Sequence, residues 1–214
     1  MAEIVSFKAK AAQIAADCAD GFRSVFVNYE YLVCSQAFTQ NPYYIVSAKP
    51  DNYMHLTGIP FGNPQLFFDK CINGSICESD ISFFKRGQTE SEVKGSVRRK
   101  IAVLPNLINI FSCPLMAEES FSKNRVICSF GTSDGTCTVG FTLVTNNKLA
   151  VRPMTLLRGY ELDAATAKPV DLVLRRPMGE TLFDTIIIGD NTTLSTYFSK
   201  IEPMLKKDVF CRKQ

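Results

Sequence analysis

Among the 214 residues only His55 has a side chain whose ordinary pKa lets it take and give protons near neutral pH. It lies in Asn52-Tyr53-Met54-His55-Leu56-Thr57-Gly58-Ile59. Strand geometry over Tyr53 to Ile59 predicts that Tyr53, His55 and Thr57 share one face, gathering three hydrogen-bonding side chains. Two roles stand open for the imidazole: a general acid or base, or a structural group whose ring nitrogens are satisfied by neighbours.

A second chemically useful group is Lys100. Thr89-Glu90-Ser91-Glu92 has the form of a capping box, which starts a helix predicted to reach Leu104 and to stop or kink at Pro105. At 100° per residue, Val93, Val97, Ile101 and Leu104 make its apolar stripe, and Lys100 falls on that stripe, facing the sheet. Lys94 and Arg98 flank the stripe, and Arg99 faces away. The Lys100 stem could cover apolar surface while its ammonium reaches water, or the ammonium could be held over the sheet as an anion contact.

These groups need a scaffold. Apolar residues recurring three or four apart from Ala2 to about Phe38 predict helix. Tyr43 to Lys49 and Tyr53 to Ile59 predict a hairpin across Pro50-Asp51-Asn52, and Pro64 opens a short helix ending at Asn73-Gly74. After Asn124 the segments Arg125 to Phe130, Thr136 to Thr145, Leu149 to Leu157, Val170 to Arg175 and Leu182 to Ile188 have strand composition. Ser133-Asp134-Gly135 and Asn146-Asn147 predict turns, and Leu194 to Leu205 a final helix. The fold class is therefore α+β: N-terminal helices followed by a mainly antiparallel sheet. One domain is expected over 1–214, with a helical segment at 1–41, a core at 42–189 and a C-terminal helix with a basic tail at 190–214.

Composition removes several classes of function. With 46% hydrophobic and 21% charged residues the chain can bury a substantial core, and no apolar run reaches the length of a membrane span. No apolar leader is visible at the start, so a cytoplasmic location is expected, with eight reduced cysteines and no membrane partner. Cys71 and Cys77, the closest pair, read as core filler under a helix end. There is no H-E-x-x-H, Walker loop, G-x-G-x-x-G or G-x-S-x-G motif, and the carboxylates are scattered, so neither a metal site nor a cofactor is expected. The net charge of +3 says little, but the basic residues are clumped at 85–86, 94–100, 175–176 and 206–213.

Three stretches carry a likeness to a known family: Tyr53 to Ile59, Phe67-Phe68-Asp69-Lys70-Cys71, and Arg99-Lys100-Ile101-Ala102-Val103-Leu104-Pro105-Asn106-Leu107. Val139-Gly140-Phe141, Pro153-Met154-Thr155-Leu156-Leu157 and the segment through Arg175-Arg176 extend it. Together they resemble the phage-associated branch of the barnase, EndoU, colicin and RelE-like nuclease superfamily, over about Tyr43 to Gly189. The resemblance implies helices followed by a four-stranded antiparallel sheet and a metal-independent endoribonuclease, typically a toxin or an effector of mobile elements. It implies His55 and Thr57 as active-site residues, Lys100 as the family's helix lysine, Thr155 as a later strand contributor and Arg176 in a position often held by lysine. Tyr53, Lys94 and Arg98 are candidate RNA contacts. RNA and an immunity or antitoxin protein are the expected partners. The alternative is a non-catalytic RNA- or protein-binding module that keeps the fold.

Overall fold

A computed structural model describes residues 5–123, 126–144, 147–207 and 209. The N-terminal helix α1 (Phe7–Phe22) is capped by Ser6, whose hydroxyl accepts the Ala9 N–H, and it runs on as a π-helical turn over Arg23–Val27. The helical periodicity then ends earlier than expected. Tyr29–Ser35 is strand β1, buried on both faces, so its apolar residues run continuously and mimic an extension of the helix. The first forty residues thus supply a structural strand as well as helix.

β2 (Tyr44–Val46) follows, and then the largest correction. Asn52–Thr57 is not the second strand of a hairpin but a six-residue helix, α2, ended by Gly58 in the left-handed conformation with φ 72°. Its buried positions Tyr53, Leu56 and Thr57 follow i, i+3, i+4 spacing, and His55 lies on the opposite, exposed side. Tyr53, His55 and Thr57 therefore do not share a face. α3 (Pro64–Ile72) has proline in its first turn and Asn63 as N-cap, and α4 (Glu90–Ile101) begins with the Thr89–Glu92 capping box. Val93, Val97 and Ile101 are buried as the periodicity requires, and α5 (Leu104–Leu107) carries Pro105 in its first turn.

The remaining strands are β3 (Met116–Glu119), β4 (Ser122–Lys123), β5 (Val126–Ile127), β6 (Phe130–Ser133), β7 (Cys137–Val144), β8 (Asn147–Arg158), β9 (Lys168–Pro177) and β10 (Thr185–Ile188). A last helix, α6 (Asn191–Ile201), is followed directly by a 3-10 turn over Glu202–Met204. The expected turn at 133–135 joins β6 to β7, and the one at 146–147 falls partly outside the described residues.

The sheet is not open. Its order β1-β2-β8-β7-β6-β3-β9 returns to β1, closing a seven-stranded barrel, with β10 added on β9 beside β3. All ring pairings are antiparallel except β2 with β8. Irregular registers at Cys34/Ser35 in β1 and at Gly140/Phe141 and Leu143/Val144 in β7 provide the bends that closure demands. The four-stranded antiparallel sheet implied by the resemblance is replaced by this ring because β1 returns to pair along β9 and β2 reaches the edge of β8.

One face of β1 and β9, through Tyr31, Val33 and Val173, joins the main core with α1 to α5. The other, through Leu32, Cys34, Leu172 and Leu174, packs α6 by Leu194, Tyr197 and Ile201. Aromatic contacts such as Phe130–Phe141 at 4.8 Å and Tyr31–Phe111 at 4.2 Å show the phenylalanines serving mainly as core. Cys71 is buried as expected, whereas Cys77 is exposed. Among the described residues no helix is long and apolar enough to cross a membrane.

A side chain at Gly140 has no room: its Cβ would lie 2.6 Å from Cys128 Sγ and 2.9 Å from Thr155 Cγ2. Gly140→Ala is expected to lower stability by about 1–3 kcal/mol through overpacking. An unchanged midpoint in denaturant titration would show that β7 and β8 can separate there at no cost.

Candidate active site

α2 and α4 both pack on β8 and against each other, and the cleft between them is floored by the strand. A cavity of about 370 Å³ opens there, lined among others by His55, Gly58, Lys85, Ser96, Lys100 and Thr155. A second cavity of about 480 Å³ shares Lys85, Gln88, Ser96, Lys100, Val126 and Thr155 with it and continues past Arg99, Arg158 and Glu161. The two form one groove along α4.

Lys100 lines both halves of the groove. Its Nζ donates to the backbone carbonyl of His55 at 2.6 Å, tying α4 to the last turn of α2. The stem passes so close to Gly58 that a Cβ there would sit 2.8 Å from Lys100 Cδ. Burial, and then the charge of Lys85, lowers the ammonium from 10.5 to about 8. The carbonyl uses one of its three N–H donors, leaving two for a ligand.

The His55 imidazole is held below its usual 6.5, first by burial and then by Lys100, with Arg152 and Lys85 adding to the effect and only Asp51 opposing it. At neutral pH the ring is uncharged and able to accept a proton. Thr155 lies on the floor of both cavities. Lys85 and Gln88 enter from a tight turn in which the Gln88 N–H donates to the Lys85 carbonyl at 3.1 Å and Gly87 has φ 77°. The turn therefore points its first and last side chains into the groove.

The other expected site residues lie elsewhere. Thr57 is buried, and its hydroxyl donates to the Met54 carbonyl at 2.9 Å and accepts the Ile59 N–H at 3.2 Å, fastening the end of α2. Tyr53 is also buried, with its hydroxyl donating to the Ala15 carbonyl at 2.6 Å and its ring 5.0 Å from that of Phe22. Arg176 is paired with Glu30 at 2.6 Å, donates to the Thr181 carbonyl and covers the Phe183 ring at 4.4 Å. It lines neither cavity. Lys94 and Arg98 rest on Phe7 at 5.9 and 5.0 Å, outside the groove. Arg99, expected to face away, lines the outer cavity instead, because the groove wraps round the side of α4 beyond the apolar stripe.

Sequence reasoning missed Gly58, Gln88 and Ser96 as parts of the groove and left Lys85 as one member of a basic clump. Gly58 was visible as the end of the His55 segment; nothing in the spacing indicates Ser96 or Gln88. Among the described residues no three His, Cys, Asp or Glu side chains come together in a way that could hold a metal ion.

Comparison with curated proteins finds no match, and comparison with solved structures finds none either. A family model described as phage-Barnase-EndoU-ColicinE5/D-RelE like nuclease 4 matches residues 15–152. That segment carries the second half of α1, α2 to α5, His55, Lys85 and Lys100, and ends just before Thr155. With 138 of its 214 residues inside the match, the chain belongs to the phage-Barnase-EndoU-ColicinE5/D-RelE like nuclease 4 family.

Proposed function

We propose that this protein is a metal-independent endoribonuclease of phage or mobile-element origin that uses the substrate's own 2′-hydroxyl as nucleophile. The observation that carries this reading is the meeting of His55, Lys100 and Thr155 on one cavity with Lys85 at its wall. Its volume, about 370 Å³, is of the size that takes a small-molecule-sized piece of substrate such as a ribose with its phosphodiester.

The neutral imidazole of His55 takes the 2′-OH proton. The freed oxygen attacks the adjacent phosphorus in line, the bond to the 5′-oxygen breaks, and a 2′,3′-cyclic phosphate remains. Lys100 gives a proton to the departing 5′-oxygen, for which a pKa of about 8 is well matched at neutral pH. Lys85 and the Thr155 hydroxyl serve the non-bridging oxygens, where charge accumulates, a kind of contact worth about 3 kcal/mol per donor in oxyanion sites. Arg176, engaged with Glu30, has no part in this scheme, and Tyr53 is too deep to act as the acid.

One observation favours the second reading, a non-catalytic binding module: the Lys100–His55 carbonyl bond gives the ammonium a structural task of its own. Incubation with RNA in EDTA, beside DNA of the same sequence, separates the two. The expected result is RNA cleavage with 2′,3′-cyclic ends and intact DNA. Loss of cleavage in EDTA would remove metal independence, cut DNA would remove the 2′-OH route, and intact RNA throughout would leave the binding module.

A further inference from the structure

The outer cavity has an unusual charge balance. Its two carboxylates are already engaged: Glu92 accepts the Thr89 N–H at 2.7 Å and the Thr89 hydroxyl at 2.8 Å, and Glu161 pairs with Lys123 at 2.8 Å. Of its cations, Lys100 is held by the His55 carbonyl, and the other three have no such partner. Lys85, Arg99 and Arg158 line the cavity and have no carboxylate within ion-pair distance among the described residues. Arg99 comes from the last turn of α4 and Arg158 from the end of β8, so they approach from two separately anchored elements.

Cations held near each other without partners repel, and a polyanion relieves that repulsion. Guanidinium groups suit a phosphodiester because their planar N–H forks match its two free oxygens. The cavity shares six lining residues with the one around His55, so a chain occupying one leads directly into the other.

We propose that the outer half of the groove, around Arg99 and Arg158, is a second phosphate subsite that binds the phosphodiester next to the scissile one. The ligand class is single-stranded RNA of at least three nucleotides, since one linkage alone fills only the inner cavity. Arg99 and Arg158 act by positioning the strand and take no part in proton transfer. This assignment rests on the reading of the groove as a ribonuclease site, but its test does not need cleavage.

Fluorescence anisotropy with labelled RNA on the His55→Ala protein measures binding alone. A dinucleotide and longer single strands are titrated at several salt concentrations, with Arg99→Ala/Arg158→Ala in the same background and with Lys168→Ala, which lines neither cavity, as control. Affinity for longer strands is expected to fall about tenfold or more in the double variant, while the dinucleotide and the control are unchanged. The slope of log K against log salt should shrink by about 1.4, at about 0.7 per lost contact to single-stranded nucleic acid. Equal losses for the dinucleotide and the longer strands, or an unchanged slope, would overturn the subsite. If the parent protein fails to cut RNA but the length and salt effects hold, the subsite survives and the enzyme reading does not. Circular dichroism on each variant confirms folding, as both arginines are exposed.

Discussion

His55→Ala is expected to reduce RNA cleavage by about 10²- to 10⁴-fold, the span typical of a lost general base. The parent's rate should follow a bell-shaped pH profile. A base works only when unprotonated, so the rate rises with pH through the His55 pKa, which burial and Lys100 place below 6.5. An acid works only when protonated, so the rate falls as Lys100 loses its proton near pH 8. Lys100→Arg tests the second limb directly, because a guanidinium stays charged throughout. The arginine variant should be slower, and its alkaline limb should disappear. If Lys100→Arg keeps a fall near pH 8, some other group titrates there and Lys100 is not the proton donor.

Gly58→Ala should damage both stability and cleavage, and for separable reasons. The residue has φ 72°, where a Cβ is strained, and that Cβ would also meet Lys100 Cδ at 2.8 Å. Strain of this kind costs about 1–2 kcal/mol. Collision displaces the lysine stem, and displacements near 1 Å in a site lower rates by about 10²-fold. Gly74→Ala separates the two effects. Gly74 has φ 64° but nothing within 4 Å of a built Cβ, so its substitution carries the strain without the collision. Both variants should melt earlier, and only Gly58→Ala should lose activity. Equal activity in the two would mean that the lysine can move aside freely, and the tie between the helices would lose its importance.

The sequence spoke clearly wherever a segment had its own stop and start signals. Thr89 and Glu92 announce α4, Pro64 announces α3, and the β-branched runs from Cys137 onward announce the later strands. Segment 52–59 was misleading because a six-residue helix is too short to display periodicity, and Tyr, Thr and Ile bring strand propensity with them. Helix there is settled by tertiary contacts: Tyr53 reaching Ala15 and the aromatic rings of α1 and α3, and Lys100 holding the terminal carbonyl. β1 was hidden for the opposite reason, since burial on both faces removes the alternation that marks a strand. Closure of the ring depends on pairings between residues about 105 to 148 positions apart, such as Val46 with Val151 and Tyr29 with Pro177, and no local pattern encodes them.

For the site, residue chemistry was enough to single out His55, and helical phase was enough to turn Lys100 toward the sheet. Thr155 entered only through the family likeness, and it does lie on the groove floor. Arg176 entered the same way and Thr57 by the expected strand face as well, and the structure places one against Glu30 and the other inside the end of α2. A linear pattern identifies side chains of suitable type but does not say which of them the backbone leaves facing a common space.

Ring closure also sets an order of events on the ribosome. β1 must wait for β9, which ends at Pro177, while the strand flooring the groove, β8, is delivered only shortly before it. At about 5–20 residues per second of synthesis, the first strand, already able to pair with β2, waits roughly 7–30 s for this second partner. Within that interval, from the synthesis of Lys100 to that of β8, the nascent chain carries both its histidine and its lysine with no floor between them.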